Sequence, residues 1–127
     1  VSVLGNDELQ ASVVGEIVPS REFYDYAAKY LDKGESASAL HIPADIPPAL
    51  SQLIRETAVE AATLAEVRGM ARVDFLMNGE TGEVFINEIN TIPGFTDISM
   101  YPKLWAATGI PYGELLDRLI ALAMKDN

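Results

Sequence analysis

The sequence predicts an α+β domain, an antiparallel sheet with helices packed against it, and three observations support this. Two apolar-rich runs, Met70 to Met77 and Glu83 to Asn90, flank the glycine-containing turn Asn78-Gly-Glu-Thr-Gly82, which is the signature of a β-hairpin. Apolar residues recur at helical spacing after Pro47-Pro48 and again after Pro111. Short runs of strand character occupy the first part of the chain.

In chain order, Val1 to Leu4 and Ala11 to Val18 read as strands joined by the polar turn Gly5-Asn-Asp-Glu8, with Pro19-Ser20 ending the second. Phe23-Tyr-Asp-Tyr-Ala-Ala-Lys-Tyr30 is aromatic-rich and of mixed period, a composition that also suits plain core. Lys33-Gly-Glu-Ser-Ala-Ser38 reads as a mobile loop and Ala39 to Pro43 as a short strand. His41, lone in that strand, suits packing or surface better than proton transfer. Pro47-Pro48 opens a helix where a missing N–H costs nothing. Leu50, Leu53, Ile54, Ala58, Ala61, Leu64 and Ala65 form its expected apolar face, and Gly69 its expected left-handed terminator. Thr91-Ile-Pro-Gly-Phe-Thr96 is a loop in which Gly94 can bring backbone N–H close to a ligand. Ser99 to Thr108 reads as a helix with Leu104 and Trp105 inward. Ser99 is placed to cap that helix and to leave its free N–H groups as an anion site. Pro111 begins a last helix with Tyr112, Leu115, Leu116, Leu119, Ile120 and Ala123 on one face.

At 127 residues the chain is one domain's length, and 49% hydrophobic content beside a net charge of −10 suits a folded acidic domain better than a disordered tail. With no basic run to meet a phosphate backbone, composition argues against nucleic acid as partner. There is no cysteine, which fits the cytoplasm, and no signal peptide or membrane-length apolar run, which argues against a membrane. The start on a strand pattern without an initiator methionine suggests a piece of a longer protein.

The hairpin holds the candidate site. Pairing centred near Thr81 makes the numbers of facing residues sum to 162, which sets Asp74 opposite Glu88 and Arg72 opposite Asn90. Alternation along a strand puts all four on one face. Two carboxylates so placed have Cβ atoms about 5 Å apart and repel each other, a conflict that a bound hard cation removes. Glu88 and the amide oxygen of Asn90 suit Mg²⁺, and a nearby arginine suits phosphate. The competing reading is a solvent-facing strand end followed by an ordinary turn.

Gly69-Met-Ala-Arg-Val-Asp-Phe75, Asn87-Glu-Ile-Asn-Thr-Ile-Pro-Gly-Phe-Thr96 and Ile98-Ser-Met-Tyr-Pro102 resemble the C-terminal part of the D-alanine–D-alanine ligases, members of the ATP-grasp superfamily. Phe23 to Tyr30 resembles the segment before their flexible active-site loop, so the resemblance runs over essentially the whole chain. It implies an ATP-grasp C-terminal region and a reaction in which ATP phosphorylates the carboxylate of one D-alanine. The amine of a second D-alanine attacks the acyl phosphate, and the dipeptide serves bacterial peptidoglycan synthesis. Carried over residue by residue, the resemblance implies Asp74, Glu88 and Asn90 as magnesium ligands, with Glu88 bridging two ions for which Mn²⁺ can substitute. Arg72 matches the arginine that steadies the transferring phosphoryl group, and the N–H of Gly94 the oxyanion donor. Lys29 matches a phosphate-binding lysine, Tyr30 a loop tyrosine that helps close the site, and Phe23 and Leu76 apolar walls of the adenine pocket. Ser99 with the N–H of Met100 matches the carboxylate clamp for the second D-alanine.

Relatives that make a depsipeptide with D-lactate lack the Lys-Tyr pair, so intact Lys29-Tyr30 favours the dipeptide. The family's N-terminal domain and the central lobe that grips ATP have no counterpart here. The expectation is therefore a C-terminal ATP-grasp domain spanning 1–127, inactive alone, and a homodimer when full length. Two other readings remain: another ATP-grasp carboxylate–amine ligase, and a non-catalytic nucleotide-binding domain.

Overall fold

Strand β1 (Ser2–Gly5) pairs with β2 (Gln10–Ala11) on one side and β5 (Gly69–Met77) on the other, and β5 continues to β6 (Val84–Asn90). All three pairings are antiparallel, giving the order β2-β1-β5-β6. A separate ribbon joins β3 (Glu16–Val18) to β4 (Ala39–His41). Helices α1 (Pro48–Leu64), α2 (Met100–Thr108) and α3 (Tyr112–Lys125) complete the elements. The structure, a computed structural model, describes residues 1–18 and 39–125. The expected features at 19–38, including Phe23, Lys29, Tyr30 and the loop at 33–38, lie outside the described residues.

The sheet is covered on both faces. Val1, Val3, Ala71 and Val73 pack with Ile54, Ala58 and Ala62 of α1. Leu4, one step out of phase with Val3, packs with Tyr101, Trp105, Ile110 and Leu115, and Met70 joins them. Odd and even positions thus face different layers, as strand alternation dictates. Two hydroxyls stitch α2 to β1: Tyr101 Oη donates to the Val3 carbonyl at 2.8 Å, and Ser2 Oγ to the Tyr101 carbonyl at 3.1 Å. Burial raises the Tyr101 phenol far above its ordinary pKa. Among the described residues no helix is long and apolar enough to cross a membrane.

Four expectations need correction. The predicted strand over 11–18 is two strands in different sheets. Ser12 closes the first, its N–H donating to the Ser2 carbonyl at 2.9 Å, and Val13 N–H then turns to Thr108 Oγ1 at 3.0 Å. Gly15 lets the chain pass α2, because a Cβ there would sit 2.5 Å from Met100 Cε and 2.6 Å from Leu104 Cδ2.

Gly69 does not terminate α1. The N–H groups of Glu66 and Val67 return to the carbonyls of Thr63 and Ala62, both at 3.0 Å, in a Schellman closure. Glu66 occupies the left-handed position with φ 57°. Gly69, φ 86°, instead opens β5 opposite Gly5.

The buried face of α1 is Ile54, Ala58 and Ala62 with Leu50 beside them, whereas Leu53 and Leu64 are exposed. The two small alanines bring the helix onto Ala71 and Val73. In α3 the inward residues are Leu115, Leu119 and Leu122, while Leu116 and Ile120 face outward. In both helices the sequence offers a wider apolar arc than one sheet face can cover.

Candidate metal and phosphate site

The expected register holds where it matters. Arg72 faces Asn90, Val73 faces Ile89, and Asp74 faces Glu88. Beyond Asp74 a β-bulge intervenes, and Phe75, Leu76 and Met77 face Ile86, Phe85 and Val84. Asn87 is the extra residue. The turn closes Asn78 N–H onto the Glu83 carbonyl at 2.8 Å, so its pair sums to 161, and the bulge restores 162 at the site.

The bulge also changes which side chains share the site face. Plain alternation would place Ile86 beside Glu88. Instead Phe85 faces Leu76, and Leu76 continues the row of Arg72 and Asp74 along β5. Leu76 is 60% and Phe85 53% exposed, an uncovered apolar pair beside the charged one. Phe85 was not anticipated from the sequence, and no signal short of the bulge points to it.

Asp74 is not relieved of its charge in the expected way. Arg72 Nε donates to Asp74 Oδ1 at 2.7 Å and its Nη2 to Oδ2 at 3.0 Å, a bidentate pair with both side chains about three-quarters shielded. A guanidinium thus already neutralises one of the two facing carboxylates. The Glu88 side chain is exposed, and its carboxylate accepts no hydrogen bond among the described residues. Asn90 Oδ1 accepts the Ile92 N–H at 3.1 Å, which turns the chain out of β6 and leaves the oxygen a second lone pair. Among the described residues no three carboxylates or histidines converge on a point. The donor set on this face is two carboxylates and an amide oxygen, all hard ligands, which fits Mg²⁺ completed by phosphate oxygens or water.

The loop after β6 supplies the second half of the site. Gly94 approaches Ser99 so closely that a Cβ there would lie 3.2 Å from Ser99 Oγ. Ser99 sits at the N-cap position of α2 with extended backbone, but its hydroxyl does not cap the helix. It accepts the Thr96 N–H at 3.0 Å and shares a 2.8 Å hydrogen bond with Thr96 Oγ1. The side-chain cap expected of Ser99 is therefore not made, because its hydroxyl is taken up by Thr96. The N–H of Met100, in the first turn, has no acceptor within the helix. When Thr96 Oγ1 is the donor, both Ser99 lone pairs are used and its own proton is free for an incoming carboxylate. Thr96 was not singled out from the sequence, although it lies two residues beyond Gly94.

Phe95 anchors the loop. Its ring lies between Tyr101 and Tyr112, with centroids 5.7 and 5.5 Å away, and its carbonyl accepts the Tyr112 hydroxyl at 2.8 Å. The concavities beside α1 are elsewhere. One of about 450 Å³ lies between Asn6, Leu9, Val67 and Arg68, and another of about 340 Å³ lies over Gln52 and Arg55. Neither includes a residue of the hairpin site, which is an open strand face.

A hairpin carrying acids, an amide and an arginine on one face, backed by an antiparallel sheet and helices, defines the ATP-grasp fold class. Residues 1–121 match the family described as D-ala D-ala ligase C-terminus, and the chain belongs to that family. A relative from Heliobacterium modesticaldum named D-alanine--D-alanine ligase is 60% identical over 124 residues, 98% of this chain and 33% of its own. The D-alanine-D-alanine ligase structure from Coxiella burnetii superposes with a TM-score of 0.81 at 39% identity, covering 98% of this chain and 31% of that one. The VanG D-Ala:D-Ser ligase from Enterococcus faecalis gives 0.80 at 40% identity, covering 95% and 34%. The chain therefore spans about a third of the length of the curated relatives it matches.

Proposed function

We propose that this chain is the metal- and phosphate-binding C-terminal part of an ATP-dependent D-alanine–D-alanine ligase that serves peptidoglycan synthesis in the cytoplasm. The supporting observation is the facing of Asp74 with Glu88 and of Arg72 with Asn90 on one face of the hairpin. Asp74, Glu88 and Asn90 would hold Mg²⁺, as two ions, or Mn²⁺ in their place. The metal supplies neutralisation of nucleotide phosphate charge.

The chain's own groups divide the remaining work. Arg72, oriented by its bidentate grip on Asp74, brings its positive charge to a phosphoryl oxygen. Gly94 N–H stabilises the oxyanion that develops when an amine attacks an acyl phosphate. Ser99 Oγ–H and Met100 N–H take the carboxylate of the second D-alanine and so aim its amine. Leu76, with Phe85, offers an apolar wall to the adenine. By resemblance Phe23 adds to that wall, Lys29 meets phosphate and Tyr30 helps close the site. The rest of the enzyme contributes the first D-alanine's contacts and the other half of the nucleotide grip, and the full-length protein is a homodimer.

The test is ADP release by the full-length protein carrying this chain, with ATP, Mg²⁺ and D-alanine, compared with D-serine, D-lactate and L-amino acids. D-Alanine should be preferred at both positions, and the isolated 127-residue chain should not turn over. Preference for D-serine or D-lactate as second substrate would move the protein to a sister activity. Absence of ADP release with every substrate would leave a non-catalytic domain.

A further inference from the structure

The peptide between Phe95 and Thr96 is held from both sides. Its carbonyl accepts the Tyr112 hydroxyl at 2.8 Å, across 17 residues, and its N–H donates to Ser99 Oγ at 3.0 Å. The two polar atoms of a trans peptide point in opposite directions, so bonds at both fix the rotation of the whole plane. Gly94 is the residue before, without a Cβ, and could otherwise swivel. Its approach to Ser99 shows how little room the fixed plane leaves.

We propose that Tyr112 is a positioning residue: by tethering the Phe95 carbonyl it fixes the Phe95–Thr96 peptide, whose N–H holds Ser99 Oγ in place beside Gly94. This rests on the ligase reading, in which Ser99 Oγ meets the second carboxylate. Tyr112 touches neither reactant. It acts from the first turn of α3 through a loop peptide, and its half-buried ring against Phe95 keeps the hydroxyl in line. The tether thereby links the core packing of α3 to the placement of the Ser99 hydroxyl.

The experiment compares Tyr112→Phe with Tyr101→Phe in the full-length protein, both keeping the ring and losing one hydroxyl. Tyr101 donates to the Val3 carbonyl in the core, so its loss should lower Tm while leaving kcat per active site unchanged. Tyr112→Phe should lower kcat about three- to tenfold, the effect of one misdirected hydrogen bond, with KM for ATP unchanged. Amide exchange at Thr96 should also quicken in Tyr112→Phe and not in Tyr101→Phe. A kcat equal to the parent's in Tyr112→Phe overturns the proposal. So does an equal loss of kcat in both variants, which would make stability the cause. A parent without D-alanine-dependent ADP release defeats the ligase reading and this inference with it, an outcome visible before either variant is measured.

Discussion

Asp74→Asn and Glu88→Gln form a pair of perturbations with the same expected effect on catalysis and different effects on stability. Each removes one negative charge from the hairpin face and preserves side-chain shape. Asp74 accepts two charge-assisted hydrogen bonds from Arg72, at 2.7 and 3.0 Å, with 22% and 27% of the two side chains exposed. An amide keeps one acceptor and turns an NH₂ toward the guanidinium, so one bond is lost and a donor meets a donor. A hydrogen bond to a charged group contributes about 1.5–3 kcal/mol in shielded surroundings, and the remaining solvent contact reduces this to about 1–2 kcal/mol. The Glu88 carboxylate is exposed and without a hydrogen bond among the described residues, so Glu88→Gln should change stability by less than about 0.5 kcal/mol. Urea denaturation of the 127-residue chain without divalent cation measures both. In the full-length protein each should reduce ADP release with D-alanine by about a hundredfold or more, because each removes charge aimed at the phosphates. Unchanged turnover in both would refute the metal assignment. A stability loss for Glu88→Gln as large as for Asp74→Asn would refute the reading that the Glu88 carboxylate takes no part in holding the fold.

The backbone offers two further checks. Glu66→Gly relieves a left-handed conformation that costs a side chain about 1–2 kcal/mol, and after glycine's greater unfolded freedom it should stabilise the chain by about 0.5–1 kcal/mol in the same denaturation assay. Gly15→Ala drives a methyl into Met100 and Leu104, destabilising by about 1–3 kcal/mol, and a double-mutant cycle with Leu104→Ala should recover part of that loss.

The sequence by itself determined the hairpin, its facing pairs and the helices, because alternation and helical spacing are local properties that neighbouring residues carry. It also singled out Gly94 and Ser99, which the fold brings side by side. It did not give the split of the 11–18 run, the closure of α1 at Glu66, or the half of α3 that faces inward. Each of those was decided by what packs against the element: Met100 and Leu104 over Gly15, Val67 folding back on Ala62, and a single sheet face too narrow for a broad apolar arc. The pairing of Arg72 with Asp74 and the bulge that turns Phe85 to the site belong to the same class. Residues on one strand face can be counted from the sequence, but which charge neutralises which, and where an extra residue slips in, depends on distances that exist only after the strands and helices have docked.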